Sequence, residues 1–165
     1  MIEFSEEVLP VAAPRSRRRS TPGASSRNPK AADPAGRKRL TIRRVFSDPN
    51  VNPFDQVEWE KRTAEITDDN NKVIFRQENV EVPKFWSHLA TKVVVSKYFY
   101  GEQGTPERET SVRQLIHRIC RTIADWGVKD GYFTRAGGEV FYDELAWLCL
   151  NQYGAFNSPV WFNVG

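Results

Sequence analysis

Residues 57–83 read VEWEKRTAEITDDNNKVIFRQENVEVP, a stretch that sets the first regular element of the chain. Residues 57–66 are rich in strand-forming side chains, and this run stops at residues 68–71, which are Asp-Asp-Asn-Asn. Asp and Asn tolerate left-handed backbone conformations, so these four residues suit a tight reversal. A second extended run, residues 73–82, is ended by Pro83. The pattern predicts a β-hairpin with its turn at residues 68–71.

A first helix is predicted directly after the hairpin, because Pro83 is well suited to the first position of a helix. Gly101 ends the helical pattern, so we expect this helix to run to about Tyr100. Apolar side chains recur along it at helical spacing, which predicts a single apolar face: Phe85, Leu89 and Val93, joined by Trp86, Ala90 and Tyr98.

Two further helices are predicted downstream. Ser111, with Gln114 three residues later, forms a capping-box pattern, and Gly127 supplies the stop of this second helix. Its apolar stripe consists of Val112, Leu115, Ile116, Ile119, Cys120, Ile123 and Trp126. The third helix is expected from about Glu139 to Gly154, with Phe141, Leu145, Leu148 and Cys149 facing inward. The predicted fold class is therefore α+β, mainly helical, with an N-terminal β-hairpin followed by about three helices.

The formal net charge of +3 on 165 residues conceals two unlike parts. Residues 1–44 carry a net charge of +7, residues 45–165 carry −4, and all five Trp lie in the second part. The first forty residues contain too little apolar surface to offset the entropy of ordering them, so residues 1–38 are predicted to be a disordered basic arm. Its arginine clusters could contact phosphates without reading sequence. A solvated tail without a partner is favoured, and nucleic-acid binding stays a minority interpretation.

The remaining composition excludes several classes of protein. Two Cys rule out a disulfide framework, and the spacing of two His and two Cys does not suit a structural zinc site. The longest aliphatic and aromatic run, residues 145–150, is too short for a bilayer span, and no signal peptide is visible, so we expect a cytoplasmic protein. Cys120 and Cys149 fall on apolar helix faces and are expected to be buried. Neither His88 nor His117 has the surroundings of a catalytic base.

The C-terminal segment, residues 155–165, is nearly uncharged and dense in aromatic side chains. Such a patch is normally covered, which indicates that these residues belong to a longer polypeptide. Within it, residues 157–159 (Asn-Ser-Pro) are typical of the start of a helix or helical turn. Free backbone N–H groups and the Ser158 hydroxyl at such a start suit a phosphate, although plain capping without a ligand is favoured by these residues alone.

Residues 152–165, QYGAFNSPVWFNVG, resemble the N-terminal region of adenosylcobalamin-dependent (class II) ribonucleotide reductases. Four upstream segments resemble the same family in the same order: residues 80–87 (VEVPKFWS), 96–99 (SKYF), 109–116 (ETSVRQLI) and 130–133 (DGYF). The resemblance covers about residues 42–165 and leaves the basic arm outside it. It identifies residues 39–165 as the N-terminal region of a reductase catalytic chain, preceding a ten-stranded α/β barrel that this sequence lacks.

This resemblance implies a radical enzyme that makes deoxyribonucleotides for DNA synthesis and repair. Adenosylcobalamin would initiate a thiyl radical on a cysteine, which removes the 3′-hydrogen of a ribonucleoside di- or triphosphate, and a cysteine pair would supply electrons, renewed by a thioredoxin-type reductant. The serine of the Asn-Ser-Pro motif contributes to substrate binding in the family and maps onto Ser158. The catalytic cysteines and the cobalamin site lie beyond Gly165, so we assign no catalytic, cofactor-binding or metal residue and expect this chain alone to be inactive.

Two other classes of function compete with this interpretation. A small basic-armed nucleic-acid-binding module would lose binding when residues 1–38 are deleted, whereas a reductase would keep its activity. An interaction subunit would instead complete a separate catalytic chain through the aromatic patch at Trp161 and Phe162.

Overall fold

The computed structural model describes residues 39–165, so the predicted basic arm of residues 1–38 lies outside the described residues. A 3₁₀ turn at Pro53–Asp55 precedes two strands, β1 (Trp59–Thr67) and β2 (Val73–Pro83). Four helices follow: α1 (His88–Lys97), α2 (Val112–Lys129), α3 (Arg135–Leu150) and the short α4 (Ser158–Asn163). The predicted α+β class, a hairpin followed by about three main helices, is confirmed.

The hairpin forms as the turn residues predict. Strands β1 and β2 pair antiparallel, with Trp59 opposite Pro83 and Ile66 opposite Phe75. In the turn, one carboxylate oxygen of Asp68 accepts the backbone N–H of Asn70 and of Lys72, both at 2.9 Å. Asn71 adopts the left-handed conformation with φ of 62°, which is why an Asn-rich sequence is suited to this reversal.

A bulge in β2 directs the hairpin toward the helices. The register shifts between the Arg62–Val80 and Ala64–Gln77 pairs, and Asn79 within the extra length has a φ of 56°. Such a bulge increases local twist and re-aims the side chains beyond it. Past this point Val80 and Val82 are fully buried, and Ala64 joins them from β1. The base of the hairpin is therefore part of the core, while Ile74 near the turn is exposed.

Helix α1 differs from its prediction in start, end and orientation. Pro83 ends β2, and the helix begins at His88 after Ser87, whose hydroxyl accepts the Ala90 N–H at 3.0 Å. The four-residue stripe of Phe85, Leu89 and Val93 is exposed, at 54%, 72% and 41%, so the prediction of one apolar face was wrong.

The buried side of α1 instead contains Trp86, Thr91 and Val95. The guanidinium of Arg62 selects this side, because it donates to the Trp86 carbonyl at 2.6 Å and to the Thr91 hydroxyl at 3.0 Å. The Thr91 hydroxyl itself donates to the Ser87 carbonyl, so a polar residue is buried with its hydrogen bonds satisfied.

Helix α2 has the predicted start but a different end. Ser111 and Gln114 form the capping box, which confirms that prediction. The helix continues through Gly127 to Lys129, and Trp126 is half-exposed instead of inward. Gly127 is needed for close approach, because a Cβ at this position would collide with the ring of Phe133.

Helix α3 begins four residues before the predicted Glu139. Thr134 caps it, with its hydroxyl accepting the Gly137 N–H at 3.0 Å, and Arg135 is the first helical residue. The helix ends at Leu150, so residues up to Gly154 lie outside it. The first turn of α3 contains Gly137 and Gly138. Because glycine is a weak helix former, the sequence pattern did not predict this turn as helical.

The core lies between α2, α3, the inner side of α1 and the base of the hairpin. Its fully buried side chains include Leu115, Ile119, Cys120 and Leu150. Cys149 is also buried, so the prediction that both thiols are core groups is confirmed. The neighbouring Cys149 thiol and burial both raise the pKa of the Cys120 thiol. Among residues 39–165, no helix is long and apolar enough to cross a bilayer.

A carboxylate fastens the segment before the hairpin to α3. The buried Glu144 accepts the backbone N–H of Val45 at 2.9 Å and that of Ser47 at 2.8 Å, together with the Ser47 hydroxyl at 2.5 Å. Burial opposes the charged form of this carboxylate, but the hydrogen bonds outweigh it and lower the pKa of Glu144. We call this arrangement the Glu144 latch.

Candidate functional site around Ser158

Ser158 lies at the start of α4, where sequence analysis expected a helix or helical turn. Asn157 precedes the helix in an extended conformation, and its carbonyl accepts the Val160 N–H at 3.0 Å. No side chain caps the start of α4, so plain capping does not account for the polar residues there. Ser158 is exposed, and its hydroxyl is available on the surface.

The Ser158 hydroxyl makes its side-chain contact with a residue sixty positions earlier. Its Oγ lies 3.1 Å from the Oη of Tyr98, which directly follows α1. The ring of Tyr98 also packs against α4, with centroids 6.1 Å from Trp161 and 5.2 Å from Phe162. Helix α4 is thus joined to Tyr98, directly after α1, through both a hydroxyl pair at Ser158 and aromatic packing.

Arg118 of α2 holds the other end of α4. Its Nη1 donates to the carbonyl of Val164 at 2.5 Å, and its Nη2 to the carbonyl of Tyr98 at 3.4 Å. The same guanidinium pairs with Glu109, with Nε 2.9 Å from Oε1, and both side chains are largely buried. The remaining Glu109 oxygen accepts the Tyr100 N–H at 2.8 Å. We call this set the Arg118 junction, because it ties α4 to the end of α1.

A second arginine fixes the end of α1 itself. Arg108 donates to the carbonyls of Val95 at 2.6 Å, Phe99 at 2.7 Å and Gly101 at 3.0 Å. Burial lowers the pKa of Arg108, although a guanidinium stays protonated over the physiological range. Carbonyls at a helix end lack partners within the helix, and Arg108 supplies them. The position of Tyr98 is therefore set by contacts on either side of it.

A cavity of about 390 Å³ lies beneath α4. Its walls are mostly apolar and aromatic, and they include Trp86, Tyr98, Cys149, Phe156 and Trp161. Phe156 meets Trp161 edge to face, with centroids 5.4 Å apart. Trp161 is the residue of α4 among the lining side chains, so the helix contributes one wall of this cavity.

The structure does not bring the two histidines to this site. His88 is exposed at the start of α1, and His117 pairs its Nδ1 with the Tyr142 hydroxyl at 2.7 Å. Burial is the main cause that raises the pKa of Tyr142, to about 12. Within residues 39–165 no group of three or more His, Cys, Asp and Glu side chains could hold a metal ion.

Sequence analysis missed the two residues that position α4. Arg118 falls on the polar face of α2, where a solvated side chain is the ordinary expectation, and Tyr98 was assigned to an apolar helix face. A weak signal was available, because Glu109 opens a segment that the family resemblance singled out, residues 109–116, and Arg118, of opposite charge, follows it closely.

Comparisons with known proteins agree with the motif-based resemblance. A sequence model of a family described as class II vitamin B12-dependent ribonucleotide reductase matches residues 60–152. A protein of Rhodopirellula baltica, named vitamin B12-dependent ribonucleotide reductase, is 61% identical over 115 residues, which cover 68% of this chain and 11% of that protein. A protein of the same name from Streptomyces coelicolor is 44% identical over 147 residues, covering 88% of this chain and 15% of its own. The matches span only a small part of these relatives.

Proposed function

Since this chain belongs to the family of class II vitamin B12-dependent ribonucleotide reductases, we propose that it forms the N-terminal region of an enzyme that makes deoxyribonucleotides for DNA synthesis and repair. The observation that carries this proposal is the family match over residues 60–152, which runs from β1 past the end of α3. The complete polypeptide would replace the 2′-hydroxyl of a ribonucleoside di- or triphosphate by hydrogen. We further propose a cytoplasmic enzyme that a thioredoxin-type protein reduces.

Cobalamin does not fit the residues described. Adenosylcobalamin, when bound to such an enzyme, supplies the radical that starts thiyl chemistry on a cysteine. Two cavities among residues 39–165 measure about 450 Å³ and 390 Å³, a size suited to ligands much smaller than a corrinoid. Both cysteines are buried in the helical core, and burial disfavours a reactive thiolate. We therefore propose that the cofactor and the radical cysteine lie in another part of the reductase polypeptide, and we expect this chain alone to be inactive.

The role proposed for this chain is to support the barrel and to contribute one substrate contact through Ser158. Three features support that contact. The Ser158 hydroxyl is exposed, its Oγ pairs with Tyr98 and does not cap α4, and the Arg118 junction fixes the helix that carries it. A serine hydroxyl can donate to a phosphate oxygen, and hydrogen bonds to charged groups are the stronger kind.

A chimeric reductase tests the proposed function. In the chimera this chain replaces the matching segment of the Rhodopirellula baltica relative, and adenosylcobalamin-dependent reduction of a ribonucleotide is measured. We expect activity close to that of the parent, and near-full activity when residues 1–38 are deleted. A chimera that folds and binds cobalamin but reduces no ribonucleotide would contradict the proposal. A chain that binds nucleic acid, loses that binding when residues 1–38 are deleted and supports no reduction in the chimera would favour the nucleic-acid-binding alternative.

Substitution of Ser158 tests the substrate contact. We expect Ser158→Ala in the chimera to raise KM for the ribonucleotide about tenfold or more, because a hydrogen bond to a charged phosphate is lost. Cobalamin affinity should be unchanged when it is measured by absorbance titration. Ser96→Ala, at a half-buried position of α1, is the matched control and should leave KM unchanged. Unchanged KM and turnover for Ser158→Ala would remove the case for the contact.

A further inference from the structure

The Tyr98 hydroxyl lies where it can determine the direction in which the Ser158 hydroxyl donates its hydrogen. A serine hydroxyl carries one hydrogen and two acceptor positions, and a fully ionised phosphate oxygen only accepts. If Ser158 donates to a phosphate, the hydrogen between Ser158 and Tyr98 must come from the tyrosine. The 3.1 Å separation of Oγ and Oη allows that direction, since either atom could donate.

Contacts around Tyr98 hold its hydroxyl at this place. The ring packs against Trp161 and Phe162, the backbone N–H donates to the Val94 carbonyl at 2.9 Å, and the backbone carbonyl accepts from Arg118. A tyrosine has few rotatable bonds, so a fixed backbone and a packed ring define where the hydroxyl lies. The backbone of Ser158 is held with α4, but its exposed side chain has Tyr98 as its hydrogen-bond partner, so the tyrosine sets the direction of the Ser158 hydroxyl.

We propose that Tyr98 is a positioning residue for substrate binding: its hydroxyl donates to Ser158 Oγ and leaves the Ser158 hydrogen free for a phosphate oxygen of the ribonucleotide. This inference rests on the proposed function of Ser158. The two bonds then run in one direction, and each polarises the other, which strengthens the terminal bond to the phosphate. Without the tyrosine hydroxyl, the serine is free to rotate toward other acceptors.

A double-mutant cycle in the chimera tests this inference. Tyr98→Phe removes the hydroxyl and keeps the ring that packs on α4. We expect it to raise KM for the ribonucleotide about threefold to tenfold with kcat unchanged, and to have no further effect on KM in the Ser158→Ala background. Tyr132→Phe, at an exposed tyrosine after α2, is the matched control and should leave KM unchanged.

The outcomes separate the inference from the proposed function. A rise in KM for Ser158→Ala with none for Tyr98→Phe overturns the inference and leaves the proposed contact in place. If Tyr98→Phe raised KM by the same factor in the wild type and in Ser158→Ala, the inference would also be overturned, because the tyrosine would then act independently of Ser158. A Ser158→Ala variant with unchanged KM overturns the contact itself and the inference with it.

Discussion

The α2–α3 core and helix α4 are held in place by different forces. The core is apolar, and Leu115, Ile119 and Leu150 within it have almost no contact with water. Helix α4 has no fully buried residue; it packs the half-buried Val160 and Trp161 against the core and is further fixed by the Arg118 junction and the Tyr98 hydroxyl. Apolar burial in the core is spread over many atoms, whereas α4 is attached by a few half-buried side chains and a few polar groups. The same small chain thus combines a rigid support with a segment that few changes would release.

The largest effect is expected in the core. Leu115→Ala should lower the free energy of unfolding by about 2–5 kcal/mol, because a large buried side chain is removed and a cavity remains. Leu89→Ala, the same substitution at a 72% exposed position on α1, should change it by about 0.5 kcal/mol or less. Urea denaturation followed by circular dichroism measures both. Equal losses for the two variants would contradict the observed orientation of α1.

An intermediate and more local effect is expected at the Arg118 junction. Arg118→Leu leaves the buried Glu109 carboxylate without its cation. We expect this to lower the free energy of unfolding by about 1–3 kcal/mol. Amide hydrogen exchange in α4 should accelerate more than exchange in α2 or α3, because α4 loses its attachment.

The matched control for the junction is Arg121→Leu. Arg121 pairs with Asp125 and Glu139, both well exposed, and exposed ion pairs contribute about 1 kcal/mol or less. Exchange in α4 should be unchanged in this variant. If Arg118→Leu accelerated exchange uniformly across the chain, α4 would be part of the core and the contrast between the two regions would fail.

The smallest effect is expected at the Glu144 latch, and it depends on pH. Glu144→Gln should lower the free energy of unfolding by about 1 kcal/mol at pH 7, since the amide keeps one acceptor oxygen and places an NH2 donor where the second carboxylate oxygen accepts. The pKa of Glu144 is lowered by folding, so its contribution is fully present above the unfolded value near 4.5 and is lost as pH falls through the folded pKa. The difference in the free energy of unfolding between the wild type and Glu144→Gln, measured by urea denaturation, should therefore become smaller from pH 7 to pH 3.

Glu139→Gln is the control for that pH dependence. Glu139 is exposed, with 56% of its side chain accessible, and its ion pair with Arg121 is screened by solvent. Its substitution should change the free energy of unfolding little at either pH. If the free energies of unfolding of the wild type and Glu144→Gln differed by the same amount at every pH, the carboxylate charge would not stabilise the latch.

Local sequence signals identified elements whose determinants are short-range. The Asp- and Asn-rich residues 68–71 predicted the turn, and Ser111 with Gln114 predicted the start of α2, because each signal acts within a few residues. The orientation of α1 was not accessible in this way. Apolar side chains occur on two sides of that helix, and the choice between them depends on Arg62, which is distant in sequence and bonds to Trp86 and Thr91.

The site shows the same division between local and long-range information. Helix formation at residues 157–159 followed from the Ser-Pro pattern, and the role of Ser158 was inferred from resemblance. The contact with Tyr98 and the attachment to Arg118 join residues forty to sixty positions apart, so no spacing rule could show them. A polar residue on a helix face predicts solvent contact unless its distant partner is known.

The two buried thiols provide a chemical probe of how often the folded core opens. Cys120 and Cys149 are the only cysteines in the sequence, and both lie in the core between α2 and α3. A thiol-specific alkylating reagent can react with them only when this core opens, so the labelling rate reports opening without any substitution or attached probe. Mass spectrometry would count zero, one or two adducts, and a direct passage from none to two would show that the helix pair opens as one cooperative unit.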